Sequence, residues 1–190
     1  MTKEITGIIL AGGKSTRLGT DKGLAMLNSK PLVQHSIDLL DSLNIPVLIV
    51  TNQLEYEQFG HPLVEDVYKE KGPIGGIYSG LRSSKTEVNI LLSCDTPYIP
   101  LQIIERIIGA SEDHEIAIAR FLDQLHPLIG LYKRSLIKPL KNAIEEDRLK
   151  LISLCTELNA HQVVFESDDL ISARSFTNIN TLEELNNQST

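Results

Sequence analysis

Small side chains and positive charge crowd into one stretch near the start of the chain, where residues Ile5 to Lys22 read ITGIILAGGKSTRLGTDK. Ile8, Ile9 and Leu10 form an apolar run of the kind found in buried strands. Ala11, Gly12 and Gly13 follow, with side chains too small to keep another group off the backbone. Lys14, Arg17 and Lys22 add cations, and Ser15 and Thr16 add hydroxyl donors. Bare backbone N–H groups ringed by cations and hydroxyls suit a polyanion, a triphosphate above all. Gly13-Lys14-Ser15 has the ending of a P-loop, but that motif needs a glycine five residues before Gly13, where Ile8 stands. The P-loop reading therefore fails.

Acidic and amide groups that could complete such a site recur at the ends of apolar runs. Asn52 follows the run Pro46 to Thr51, Glu65 and Asp66 follow Leu63-Val64, and Asp95 follows Val88 to Cys94. An ionised carboxylate is costly in an apolar interior, so Asp95 is expected at a strand end with a partner. Open α/β sheets gather ligands at the carboxyl ends of their strands, which places Asn52, Asp66 and Asp95 on one rim with the glycine-rich loop.

The elements that must position these groups are legible in outline. A helix is predicted from Pro31 to near Asn44, with Val33, Ile37 and Leu40 on one face. Gly72 to Gly80, GPIGGIYSG, reads as a tight turn opening a helix through Leu81. Pro100 starts another helix with Leu101, Ile104 and Ile108 on one face. Ile116 to Ala119 and Pro127 to Tyr132 form a hairpin about Asp123-Gln124, which makes one sheet strand antiparallel. Helices over 136–144 and 149–158, a peripheral strand His161 to Phe165, a loop over 167–175 and a capping box at Thr181 to Glu184 complete the reading.

A length of 190 residues suits one domain, 1–190, with no internal repeat or linker. A net charge of −7 argues against nucleic acid or an anionic membrane as partner, and makes the cationic loop a local exception. The start MTKEITGIIL lacks the features of a signal peptide and no apolar run reaches spanning length, so a cytoplasmic location is expected. Cys94 and Cys155 have no metal-type spacing and are expected to be reduced core residues.

The LAGG of Leu10 to Gly13 with KSTRLG and Asp21-Lys22 behind it, Glu65-Asp66, GPIGG from Gly72, CDTPYIP from Cys94 and NINT from Asn178 together resemble the molybdenum cofactor guanylyltransferases, the MobA family. The resemblance spans nearly the whole chain. It implies a three-layer α/β fold, nucleotide-diphospho-sugar-transferase-like and Rossmann-like, with a mostly parallel sheet and helices on both faces. It also implies transfer of GMP from Mg-GTP to the phosphate of molybdopterin, with release of pyrophosphate. The N-terminal half would bind nucleotide and the C-terminal half the acceptor.

In that reaction two anions must meet, so charge neutralisation is the main task. The resemblance assigns Lys22 to the α-phosphate, Arg17 and the Leu10, Ala11, Gly12 and Gly13 backbone to the leaving pyrophosphate, and Asp95 to Mg²⁺. Guanine offers neighbouring N–H donors that a carboxylate can accept together, which makes Asp66 the candidate for base recognition, with Asn52 beside it. Asn180 and Arg148 are candidates for the acceptor, with Lys150 beside Arg148 reading equally as a phosphate contact or a solvated side chain, and His126 equally as a ligand or a packed loop residue. Molybdopterin-insertion proteins or target molybdoenzymes would receive the product. Leu18, where methionine is frequent, and Gly75-Gly76 depart from the family pattern without removing a charge. Two other functions share these residues: a sister enzyme using CTP or UTP for another phosphorylated acceptor, and a non-catalytic nucleotide-binding regulatory protein.

Overall fold

Ile8 and Ile9 are consecutive in a strand and therefore face opposite sides of it, yet both are fully buried. Such a strand must be covered on both faces, as in a parallel sheet between helical layers. The computed structural model describes residues 4–12, 21–168 and 170–179 and has that arrangement. Gly13, Lys14, Arg17, Asn180 and the capping box at Thr181 lie outside the described residues.

In chain order the elements are β1 (Ile5–Leu10), a small hairpin of β2 (Met26–Leu27) and β3 (Lys30–Pro31), α1 (Leu32–Ser42), β4 (Val47–Val50), β5 (Leu63–Val64), α2 (Gly72–Ser83), β6 (Val88–Ser93), α3 (Leu101–Gly109), β7 (Ile116–Phe121), β8 (Gln124–Lys133), α4 (Ile137–Glu145), α5 (Leu151–Glu157) and β9 (His161–Phe165). Short 3₁₀ turns stand at Lys22–Leu24, Leu54–Phe59, Arg134–Leu136 and Ala173–Phe176. The main sheet has the order β5-β4-β1-β6-β8-β7-β9. β8 runs antiparallel to both of its neighbours, and the other pairs in this sheet are parallel. The hairpin expected from its spacing thus supplies the one antiparallel strand of an otherwise parallel sheet.

The pleat divides the core. Ile9, Ile90 and Leu92 pack with Val33, Ile37 and Leu40 of α1 and with Ile103, Ile104 and Ile107 of α3 on one face. Ile8 and Leu91 pack with Ile74, Ile77 and Leu81 of α2, Leu140 of α4 and Leu154 of α5 on the other. At the amino ends of the strands Asn89 is fully buried and its Nδ2 donates to the carbonyls of Thr86, Glu87 and Tyr132, all at 3.3 Å.

Local details differ from the sequence reading in instructive ways. Pro31 caps α1 instead of occupying its first turn, because it also pairs with Met26 in the small hairpin. The buried face of α3 is Ile103, Ile104 and Ile107, while Leu101 and Ile108 are only half-buried. Gly72 to Gly80 is helix throughout; Pro73 fits its first turn, where no N–H is missed. The glycines there serve close packing, since a Cβ on Gly80 would lie 2.6 Å from Ile8 Cγ2. Among the described residues no helix is long and apolar enough to cross a membrane.

Candidate nucleotide site

The strand-end rim forms as expected because the backbone ties neighbouring strand ends together. The N–H of Ala11 donates to Val50 O at 2.9 Å, that of Thr51 to Val64 O at 2.9 Å, and that of Cys94 to Leu10 O at 3.2 Å. Leu10, Asn52, Asp66 and Asp95 are thereby held along one edge of the sheet. The same bonds show that Ala11 still belongs to the ladder, so its N–H is committed to the sheet. Gly12 is where the chain turns off: its φ of 104° is reached readily only by glycine, and a Cβ there would sit 3.2 Å from Thr51 Oγ1.

Lys22 and Asp95, 73 positions apart, meet with Nζ donating to Oδ2 at 2.6 Å. Both side chains are largely shielded, at 17% and 13% exposure, so the pair is less screened than a surface ion pair. The other carboxylate oxygen, Asp95 Oδ1, is buried with no hydrogen-bond partner among the described residues. The chain returns to this point near its end, where the N–H of Ile179 donates to Asp95 O at 2.8 Å. Cys94 is a buried free thiol, its pKa pushed up to about 12 by burial first and then by the charges of Asp95 and Asp21, which keeps it un-ionised at neutral pH.

Asn52 and Asp66 form a second pair on the rim. Asn52 Nδ2 donates to Asp66 Oδ2 and the Asp66 N–H donates to Asn52 Oδ1, both at 3.1 Å. Asp66 Oδ1 is buried and unpartnered among the described residues, close to where a Cβ on Gly76 would stand. Burial raises the Asp66 pKa, and the Asn52 hydrogen bond only partly opposes it. The site thus has a cationic–acidic pair at the end of β6 and a carboxylate–amide pair at the end of β4 and β5.

Beside Asp95 opens a cavity of about 470 Å³. Its wall combines apolar groups of Pro73, Leu125, Pro127, Leu128 and Ile152 with Asp95, Thr96, His126, Lys150 and Asn178. The wall from Leu125 to Ile129 exists because the β7–β8 ladder slips: Ile118 pairs with Gly130 but Ala119 with His126, so the residues between bulge outward. Tyr132, fully buried, braces the bulge by donating its hydroxyl to Pro127 O at 2.7 Å. His126 packs against Phe176 in a tilted arrangement, 4.7 Å between centroids, and burial lowers its pKa, favouring neutral imidazole. Arg148 is held apart from this group by Glu146 at 2.7 Å and Glu157 at 2.6 Å on an exposed surface.

Two residues with no role assigned from sequence, Gln53 and Tyr56, reach the site from the 3₁₀ segment after β4, both of them bonded to Asp21. A six-residue 3₁₀ run has no hydrophobic period to announce it, so only the aromatic at position 56 hinted at a buried anchor.

A family model described as the MobA-like NTP transferase domain matches residues 7–161. The chain belongs to this family. Over 185 residues it is 35% identical to a probable molybdenum cofactor guanylyltransferase of Flavobacterium johnsoniae, covering 96% of this chain and 95% of that one. It is 36% identical over 182 residues to the molybdenum cofactor guanylyltransferase of Vibrio parahaemolyticus, with 94% and 91% covered. The crystal structure of molybdopterin-guanine dinucleotide biosynthesis protein A from Archaeoglobus fulgidus superposes with a TM-score of 0.77 at 22% identity, covering 97% and 96% of the two chains. The architecture described above is therefore that of the MobA-like nucleotidyltransferases: the mostly parallel sheet is as the resemblance implied, and the reversed strand is as the hairpin spacing predicted.

Proposed function

We propose that this MobA-like protein transfers GMP from GTP to the phosphate of molybdopterin, forming the guanine dinucleotide and releasing pyrophosphate. The observation that carries the reading is the Lys22–Asp95 pair at the end of β6, with one Asp95 oxygen uncommitted among the described residues, in a family of NTP transferases. The whole chain would act as one unit, the nucleotide lying over β1, β4 and β5 and the acceptor in the cavity lined by the second half.

An oxygen of the acceptor phosphate attacks the α-phosphorus of GTP in line, the bond from that phosphorus to the bridging oxygen breaks, and pyrophosphate leaves with the electron pair. No protein nucleophile is required. Lys22 would donate to the α-phosphate and offset the charge that accumulates there. Gly12 and Gly13 with Arg17 would hold the leaving pyrophosphate, and Leu10 and Ala11 would supply the strand end beneath it. Asp66, positioned by Asn52, would accept the two adjacent guanine N–H donors.

Asp95 fits a divalent cation: it offers a buried, uncommitted carboxylate oxygen, and Mg²⁺ beside a nucleotide usually takes one or two carboxylates, with phosphate oxygens and water completing its shell. Mg²⁺ held there would screen the charge of the phosphates. Among the described residues no cluster of three or more acidic, His or Cys groups competes for a metal.

On the acceptor side, Lys150 lines the cavity that Asp95 also lines and would meet the acceptor phosphate, with Asn180 as the second candidate. Arg148 would have to leave two carboxylates to join them. Pyrophosphate release measured with molybdopterin and each of GTP, CTP and UTP tests the reading. Turnover that is fastest with GTP is expected; faster turnover with CTP or UTP would replace guanylyl transfer, and GTP binding without turnover would favour a regulatory role.

A further inference from the structure

Two carboxylates flank Lys22, and they are committed differently. Asp95 pairs with the Lys22 ammonium and keeps an oxygen unpartnered among the described residues. Asp21 has both oxygens engaged elsewhere. Its Oδ1 accepts from the Gly23 N–H at 3.0 Å and from the Tyr56 hydroxyl, and its Oδ2 accepts from Gln53 Nε2 at 2.8 Å. An aspartate so occupied is poorly placed to serve as a base or a metal ligand; its bonds hold the backbone on either side of Lys22.

The anchors are firm. Tyr56 is fully buried in the core beneath the sheet rim, and burial together with the neighbouring Cys94 and Asp21 raises its pKa, so its hydroxyl stays protonated as a donor. Gly23 packs so tightly on it that a Cβ would lie 2.2 Å from the Tyr56 oxygen and 3.2 Å from Cys94 Sγ. Gln53 follows Asn52 directly, and its N–H donates to Thr51 Oγ1 at 3.3 Å. The clamp therefore joins the turn that carries Lys22 to the strand end that carries Asn52.

We infer that Asp21, Gln53 and Tyr56 are positioning residues for phosphoryl transfer: the clamp fixes the turn that aims the Lys22 ammonium, so that the cation is in place before the phosphates arrive. This rests on the proposed guanylyl transfer and assigns it residues that touch neither nucleotide nor acceptor. Preorganisation matters here because a donor aimed beforehand loses nothing to reorganisation as charge develops, and small misplacements of such a group cost rate steeply.

The test is single-turnover transfer by Tyr56→Phe and, separately, Gln53→Ala, with GTP and with the α-phosphorothioate diastereomer that slows the unmodified enzyme more. Tyr56→Phe keeps the ring in the core and removes only the hydroxyl. Each variant is expected to transfer about 10-fold more slowly, to keep its acceptor KM, and to show a smaller rate ratio between GTP and the thio analogue. The ratio shrinks because a loosened Lys22 has less contact for sulfur to disturb, whereas partial misfolding lowers both rates equally. Full-rate transfer by both variants, or slowed transfer with the thio ratio unchanged, would overturn the inference while leaving guanylyl transfer standing. No transfer by the unmodified protein would remove guanylyl transfer itself and the inference with it.

Discussion

At the scale of single residues, the site works by giving each carboxylate a different environment. Among the described residues Asp95 shares one oxygen with Lys22 and leaves the other uncommitted, Asp21 is spent on backbone and side-chain donors, and Asp66 is half satisfied by Asn52. Asp66 also carries a pH signature. Burial raises its pKa, so the folded state prefers its protonated form relative to the unfolded chain. The fold accordingly gains stability from this group as pH falls through that range and loses it as pH rises through it. The base recognition proposed for Asp66 needs the ionised form and runs the opposite way. The GTP KM is thus expected to climb on acidification at a higher pH than an ordinary carboxylate would cause. In Asp66→Asn it should be high at every pH, with the acid limb gone; a limb that persists in this variant would show that another group titrates.

At the scale of elements, the bulge in β8 decides the shape of the cavity proposed for the acceptor. Its brace is the hydrogen bond from the Tyr132 hydroxyl to Pro127 O. Tyr132→Phe leaves that carbonyl without its donor and should cost about 1–2 kcal/mol in chemical denaturation. The acceptor KM should rise while the GTP KM holds, because the bulge lines the cavity and not the strand ends of β4 and β5. Equal changes in both would mean that the cavity does not belong to the acceptor alone. The bulge lay beyond sequence reading. Its two strands were legible from their apolar runs and the polar turn at Asp123-Gln124, but a slip in register leaves no mark in composition. Likewise GPIGG carried the punctuation of a turn, and a helix opening with Gly-Pro uses the same letters.

At the scale of the whole molecule, the two ends of the sheet do different work. The amino ends are closed by the buried Asn89 network, and the carboxyl ends present Asn52, Asp66, Asp95 and Lys22. Asn89→Ala should lower stability by about 2 kcal/mol, since it orphans buried carbonyls, and leave both KM values unchanged per folded molecule; a shifted GTP KM would contradict this division. Much of the division could be read in advance. Apolar runs ending in Asn52, Asp66 and Asp95 located the rim, because charge cannot stay inside a sheet covered on both faces. The Asp21 clamp could not be read, since its partners come from a segment without periodicity some thirty positions away. The proposed transfer turns on the end of β6, where a cation and a half-committed carboxylate would let two phosphates approach. The most direct measurement is pyrophosphate release from Mg-GTP with molybdopterin, comparing the unmodified protein with Asp95→Asn after checking that both are folded. A fall of about 100-fold or more in kcat is predicted for the variant. Turnover within a few-fold of the unmodified protein would contradict the account.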